Sequence, residues 1–203
     1  MNAPSPITVK PRKAEVSRKT SETSIELSLN LDGSGVADIK TGIGFLDHML
    51  IALTKHARFD LKLHCKGDLH IDDHHTAEDC ALALGQALDR ALGDRRGIVR
   101  FAHAYAPLDE ALARVVIDLS GRPSAVVDLD LKRDSIGDLA SENIGHVFTS
   151  LAMASRSSLH VDVLRGENDH HKAEAAFKAA ALVLRQAVSL DGSDQVPSTK
   201  GVL

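Results

Sequence analysis

The pattern His-His-x-x-Glu occurs twice in this chain, at residues 74–78 and again at residues 170–174. Residues four positions apart share one face of an α-helix, so the first histidine and the glutamate of each copy can hold a metal ion between an imidazole and a carboxylate. Adjacent helical residues diverge by roughly 100°, so the second histidines, His75 and His171, are better placed to reach a different ion. The sequence therefore predicts two clusters that each serve two ions.

The repetition extends beyond this motif. An apolar stripe with helical spacing occurs at residues 46–53 and at residues 144–151, and each stripe has a histidine beside it. Apolar and polar residues then alternate at 61–65 and at 159–163, as they do in half-buried strands. The chain is thus predicted to consist of two copies of one structural unit.

Each copy is predicted to be a β-β-α-β-α unit. Strand-like stretches lie at 13–19 and 112–119, further alternating segments lie at 25–29 and 125–129, and a long amphipathic helix follows each His-His-x-x-Glu cluster. Two such units most simply pack as sheet and helix layers, an α+β sandwich with internal pseudo-two-fold symmetry.

The repeat also predicts the domain organisation. We expect the first repeat over residues 1–92, a connecting segment over 93–107, and the second repeat with the C-terminal tail over 108–203, all packed as one compact structural unit.

Composition excludes several classes of function. No apolar run approaches the roughly 20 residues of a membrane span, and the N-terminal segment lacks the apolar core of a secretory signal. The formal net charge is -4 without a long basic run, which argues against binding to nucleic acid. Cys65 and Cys80 make a poor disulfide framework and are expected to be small buried residues. We expect a globular cytoplasmic protein without membrane or nucleic-acid partners.

Histidine is abundant, with eleven in the chain. The repeat places His48 and His146 in equivalent positions outside the clusters, so both are candidate ligands. Together with the two motifs they provide two sites of three histidines and one glutamate, which leaves two positions per ion open for substrate or water. Imidazole suits Zn, Mn, Fe, Ni or Cu, while the added carboxylate and the absence of thiolate favour a harder, six-coordinate ion such as Mn.

Side chains suited to phosphate occur at Arg100, Arg122, Lys178 and residues 197–201. Each has an ordinary alternative explanation, because Arg122 lies in a predicted turn, helical lysines are often solvated and tails are often disordered.

Two other functions also fit a pair of metal ions. A dinuclear hydrolase would usually add a bridging carboxylate, and a metal-storage or structural shell would have no use for phosphate-binding residues.

Several longer motifs resemble imidazoleglycerol-phosphate dehydratase. They are Gly42–Leu50 (GIGFLDHML), Asp72–Asp79 (DDHHTAED), Ala106–Ala111 (APLDEA), Asp118–Pro123 (DLSGRP) and Asn168–Glu174 (NDHHKAE). The similarity runs from near residue 12 to Gly201, and no aspartate-rich phosphatase segment precedes it, so we expect the monofunctional form. The resemblance implies a fold of the ribosomal protein S5 domain 2-like type.

The resemblance also implies an activity. The family dehydrates D-erythro-imidazole glycerol phosphate to imidazole acetol phosphate plus water, a carbon–oxygen hydro-lyase reaction of L-histidine biosynthesis. It implies two Mn²⁺ per active site and a homo-oligomer of 24 subunits whose active sites are shared between subunits. The family pattern assigns His48, His75, His170 and Glu174 to one ion, and His74, Glu78, His146 and His171 to the other. Each set draws on both halves, which in the family belong to different subunits.

The implied mechanism holds the substrate ring as a metal-bound imidazolate, which expels the hydroxyl and gives a diazafulvene-like intermediate. Glu22 matches the family's substrate-contacting glutamate and is the candidate acid or base, beside the catalytic ligands His74, Glu78, His170 and Glu174. The family pattern assigns the substrate phosphate to Arg100, Arg122, Lys178, Ser198, Thr199 and Lys200.

Overall fold

A computed structural model describes residues 11–203 of the chain. The first half contains β1 (Lys13–Lys19), β2 (Thr23–Asn30), β3 (Ala37–Lys40), α1 (Gly44–Ala57), β4 (Asp60–Gly67) and α2 (His74–Leu92). The second half contains β5 (Phe101–Leu108), β6 (Ala111–Asp118), β7 (Ser124–Asp128), β8 (Ser135–Ile136), β9 (Leu139–Ala140), α3 (Ser141–Ala154), β10 (Ser158–Arg165) and α4 (Asp169–Ala187).

The two halves form sheets of the same topology. The strand order is β1-β2-β4-β3 in the first sheet and β5-β6-β10-β7 in the second. In each sheet the first three strands pair antiparallel, while the edge strand β3 or β7 pairs parallel to its neighbour. This agreement in order and strand direction confirms the predicted α+β fold with two repeated sheet-and-helix units.

The four-stranded sheet of each half contains one strand more than the β-β-α-β-α pattern, and the second half adds the small hairpin β8-β9. The segment predicted at 125–129 largely coincides with β7, the counterpart of the short edge strand β3, rather than of β2. The expected connecting segment 93–107 includes most of β5, the first strand of the second sheet. The buried face of β5 is built from Ala102, Ala104 and Ala106. Because alanine is only weakly hydrophobic, the alternation between buried and exposed positions is hard to see in the sequence, and the segment resembles a linker.

The four helices of residues 11–203 lie between the two four-stranded sheets. The long helix α2 packs on the first sheet and α4 on the second, while α3 packs on α2 and α1 packs on α4. Gly85 permits the close approach of α2 to α3, because a Cβ atom at this position would lie 2.6 Å from Ala154 Cβ and 2.7 Å from Leu151 O. Each short helix therefore contacts the long helix of the other half.

Side-chain carboxylates tie the N-termini of the helices together. Asp138 accepts hydrogen bonds from the backbone N–H groups of Gly44 (2.8 Å) and Phe45 (3.2 Å) at the start of α1. Asp73, before α2, accepts a bond from Ala140 N (2.7 Å), directly before α3. Asp73 directly precedes His74 and His75, so this contact holds the first motif beside the start of α3. Among the described helices, none combines the length and apolar character that crossing a bilayer requires.

Candidate metal centre

The first ligand cluster contains His48 of α1 and His170 and Glu174 of α4. One nitrogen or oxygen atom of each residue lies within 4.8 Å of those of the other two. His48 Nε2 and His170 Nε2 are both 3.2 Å from Glu174 Oε2. Two imidazoles and a carboxylate converging in this way form a donor set that suits a transition-metal ion.

The second cluster contains His74 and Glu78 of α2 and His146 of α3. His146 Nε2 lies 3.1 Å from Glu78 Oε1, and His74 Nε2 lies 3.8 Å from Glu78 Oε2. The rings of His74 and His146 stack with their centroids 5.0 Å apart. This cluster repeats the donor set of the first.

Both clusters combine ligands from the two halves within one chain. His48 and His146 reach the long helix of the opposite half because α1 packs on α4 and α3 packs on α2. The resemblance implies that the two halves that bind each ion belong to different subunits. For these six residues, however, one chain supplies both halves. Their arrangement supplies three of the four ligands expected for each ion.

The second histidine of each motif lies apart from its cluster, as the helical angle between adjacent residues requires. His75 Nδ1 lies 3.0 Å from Asp68 Oδ2, and His171 Nδ1 lies 2.7 Å from Glu110 Oε2. The hydrogen bonds to these carboxylates raise the pKa of both imidazoles above its usual value. The expected fourth ligands are thus present but turned towards other groups.

Glu22 lies in the turn between β1 and β2, and its side chain is 47% exposed. Its Oε1 atom is 3.7 Å from Nε2 of His75. The turn is fixed to α2, because Thr23 donates a hydrogen bond to Asp79 and Arg18 forms an ion pair with the same carboxylate. Glu22 is therefore held close to His75 by the contacts between this turn and α2.

The candidate phosphate residues divide into two groups. Lys178 lies beside the first cluster, with Nζ 2.9 Å from Glu174 Oε1. Arg100 lies at the opposite end of the second sheet, where its backbone N–H donates to Ala187 O (2.9 Å) at the end of α4. At 1.5 Å rise per residue, α4 separates this end from His170 by roughly 25 Å.

The remaining phosphate candidates gather near Arg100. The guanidinium of Arg100 donates to Asp118 (2.7 and 3.1 Å) and to Pro197 O (2.7 Å), directly before Ser198, Thr199 and Lys200. Arg122 is exposed and follows Gly121 in a turn. This turn lies against the C-terminus, because a Cβ atom at Gly121 would lie 2.8 Å from Leu203 C. One chain therefore keeps the metal ligands and most phosphate candidates at opposite ends.

Sequence reasoning assigned no role to Asp68, Glu110 or Asn143, each of which contacts a histidine of the motifs. Asn143 Oδ1 lies 2.9 Å from His74 Nδ1. Glu110 belongs to the APLDEA segment, so its motif was visible although its partner was not. Asn143 and Glu110 are distant in sequence from their histidines, and Asp68 reaches His75 from the loop after β4, so no helical or strand spacing reveals these contacts.

Comparison with known proteins agrees with the geometry. The model of the imidazoleglycerol-phosphate dehydratase family matches residues 41–184. The imidazoleglycerol-phosphate dehydratase of Roseiflexus sp. (strain RS-1) is 57% identical over 194 residues, which cover 95% of this chain and 98% of that protein. The protein of the same name from Phytophthora nicotianae is 61% identical over 192 residues, and these make up 95% of this chain but 42% of that longer protein.

Solved structures show the same relationship. The crystal structure of the Pyrococcus furiosus enzyme matches with a TM-score of 0.81 and 37% identity, covering 93% of this chain and 100% of that one. The imidazoleglycerol-phosphate dehydratase of Staphylococcus aureus matches with a TM-score of 0.80 and 34% identity, covering 88% of this chain and 99% of that one. Sequence and fold agree over nearly the whole length, so this chain belongs to the imidazoleglycerol-phosphate dehydratase family.

Proposed function

We propose that this chain dehydrates D-erythro-imidazole glycerol phosphate to imidazole acetol phosphate with two Mn²⁺ ions per active site, in a homo-oligomer of 24 subunits with shared sites. The observation that carries the proposal is the pair of three-ligand clusters, each lacking one of its four expected ligands, together with two motif histidines that stand outside them. A neighbouring copy that inserts its His75 and His171 would complete both sets.

The donor atoms fit such ions. All four cluster histidines present Nε2 towards a glutamate, and nitrogen with carboxylate oxygen suits Mn and its neighbours. Neither cluster contains a cysteine. When bound, the ions would act as Lewis acids and as a template that orients the substrate ring.

Lys178 and Glu174 connect the metal ligands with the substrate in this proposal. Burial would raise the pKa of Glu174, but hydrogen bonds from Lys178 and His48 outweigh it and hold the pKa below its usual value. Glu174 is therefore ionised at neutral pH, as a metal ligand must be. The ammonium group of Lys178 is positioned to meet an anionic substrate that enters beside the cluster.

Glu22 is the proposed acid or base. Because it lies 3.7 Å from His75 Nε2, the copy that supplies His75 to a cluster also brings Glu22 to the substrate. Its carboxylate is half-exposed, which leaves it free to accept a proton from the carbon next to the phosphate-bearing carbon and to return it during ketonisation.

The separation of the phosphate candidates supports assembly. Arg100 is roughly 25 Å from His170 of its own chain by the length of α4, farther than a three-carbon phosphate ester can bridge. A substrate whose ring contacts the ions and whose phosphate contacts Arg100 must therefore lie between copies.

Turnover in the presence of Mn²⁺ tests the proposal. The purified protein should convert imidazole glycerol phosphate into a ketone that is detected as its enol in alkali, without release of inorganic phosphate. Release of phosphate would contradict dehydration and indicate a dinuclear phosphatase. His74→Ala should abolish turnover in an assembly of unchanged size, whereas the matched control His70→Ala, at an exposed histidine outside both clusters, should retain it. Retained turnover in His74→Ala would contradict the metal assignment.

A further inference from the structure

We infer that Asp68 and Glu110 are positioning residues, because each carboxylate contacts Nδ1 of a motif histidine and thereby leaves Nε2 of His75 or His171 as the atom that binds metal. The inference rests on the proposed metal-dependent function and adds two residues that the ligand sets do not contain. A carboxylate only accepts hydrogen bonds, so the Nδ1 atom that faces it must carry a proton. In the neutral ring the lone pair is then on Nε2.

At His171 the positioning carboxylate is itself held in place. Glu110 Oε1 accepts the backbone N–H groups of Glu167 (3.1 Å) and Asn168 (2.9 Å), directly before α4. This leaves Oε2 facing His171 Nδ1 at 2.7 Å. These two backbone donors fix the orientation of the side chain, and a glutamate is ordinarily a carboxylate at neutral pH.

At His75 a different element supplies the acceptor. Asp68 directly follows β4, and its side chain is only 17% exposed. Its Oδ2 atom lies 3.0 Å from His75 Nδ1. The imidazole Nε2 is consequently directed away from Asp68 and towards the side on which Glu22 lies.

The two halves reach this arrangement by unrelated positions. At the spacing that aligns β4 with β10, Asp68 corresponds to Gly166. Gly166 has a φ of +149°, and a Cβ atom there would lie 2.9 Å from Ala111 Cβ and from Lys172 Cγ. A side chain at this point of the second half would clash, so Glu110 of the β5–β6 turn performs the task instead. If the carboxylates were only a remnant of the repeat, they would occupy equivalent positions in the two halves. A need for the lone pair on Nε2 explains why each half supplies a carboxylate from a different position.

Nitrogen NMR of the metal-free protein tests the tautomers directly. In ¹⁵N-histidine-labelled protein, difference spectra against His75→Gln and His171→Gln isolate the two rings. We expect both to show a protonated Nδ1. A ring that is protonated on Nε2 alone would overturn the inference for that histidine, and this reading does not depend on whether metal binds.

Titration with Mn²⁺, followed by the electron paramagnetic resonance of the free ion, tests the consequence. Asp68→Asn and Glu110→Gln should each weaken binding by roughly ten- to a hundredfold, the usual effect of removing a partner behind a ligating histidine. Gln can still accept the backbone bonds of Glu110, and circular dichroism verifies that each variant is folded. The matched control Glu142→Gln, at an exposed position in the first turn of α3, should bind as the wild type does.

The two possible failures are distinct. A wild-type protein that does not bind Mn²⁺ would overturn the proposed function. A wild type that binds, together with folded Asp68→Asn and Glu110→Gln proteins of unchanged affinity, would overturn the positioning roles alone.

Discussion

Gly85 is expected to set the approach of α2 to α3, and with it the distance between His74 and His146. Gly85→Ala places a Cβ atom 2.6 Å from Ala154 Cβ, so the helices must separate. Overpacking of this kind costs typically about 1–3 kcal/mol. Alanine also stabilises a helix relative to glycine by about 1 kcal/mol. The measured loss of stability is therefore smaller than the cost of overpacking.

Gly145→Ala supplies the control that removes this ambiguity. Gly145 also lies inside a helix, but a Cβ atom there meets nothing closer than Val127 Cγ1 at 3.8 Å, an ordinary contact. Both variants gain similar helix propensity, so the difference between them isolates the overpacking, about 1–3 kcal/mol. A change of 1 kcal/mol shifts Tm by roughly 2–4 °C in a chain of this size, so Gly85→Ala should melt several degrees below Gly145→Ala.

Calorimetry of the metal-free proteins measures this difference, and Mn²⁺ titration measures its effect on the site. Binding at the His74, Glu78 and His146 cluster should weaken in Gly85→Ala, because His146 moves with α3. Equal melting temperatures in the two variants would refute the role assigned to the helix crossing.

Further predictions concern the chemistry, the core and the response to acid. Glu22→Gln should lower kcat by roughly 10²- to 10⁴-fold, the usual contribution of a general acid or base, with Mn²⁺ affinity unchanged in a metal titration. Lys172→Met should cost about 3–5 kcal/mol in urea denaturation, because it leaves the buried carboxylate of Asp169 without its cation. The folded-state pKa of Glu110, about 2, lies below its ordinary value of 4.5. Its contribution to stability is therefore complete above pH 4.5 and is lost as the pH falls towards 2. Melting curves of metal-free Glu110→Gln should accordingly show a shallower decline over this interval than those of the wild type. Chelation should abolish dehydration, and added Mn²⁺ should restore it.

The sequence predicted those parts of the structure that depend on local spacing. The i, i+4 relation between His74 and Glu78 placed both side chains on one helical face, and the repeat related His48 to His146 before any contact was known. The strand β5 was not predicted, because Ala102, Ala104 and Ala106 bury little apolar surface. Local patterns could not show this strand because its contacts are tertiary: it pairs with β6 and packs against α4.

The surroundings of the site depend on tertiary structure. Asp68 and Glu110 reach their histidines from a loop and from a hairpin turn, so no periodic pattern relates them. The distance between Arg100 and His170 follows from the length of α4, which the sequence indicated, and from the strand β5 beside it, which it did not. The location of the phosphate candidates was therefore beyond the reach of sequence patterns.

The opposed ends of α4 have a consequence for how such an enzyme responds to its own concentration. If the metal ligands and the phosphate residues act as proposed, a solitary copy carries two incomplete half-sites that face different neighbours. Dilution would then dismantle every catalytic centre without unfolding a single chain. Specific activity would rise with protein concentration until closure of the assembly leaves no half-site unmatched.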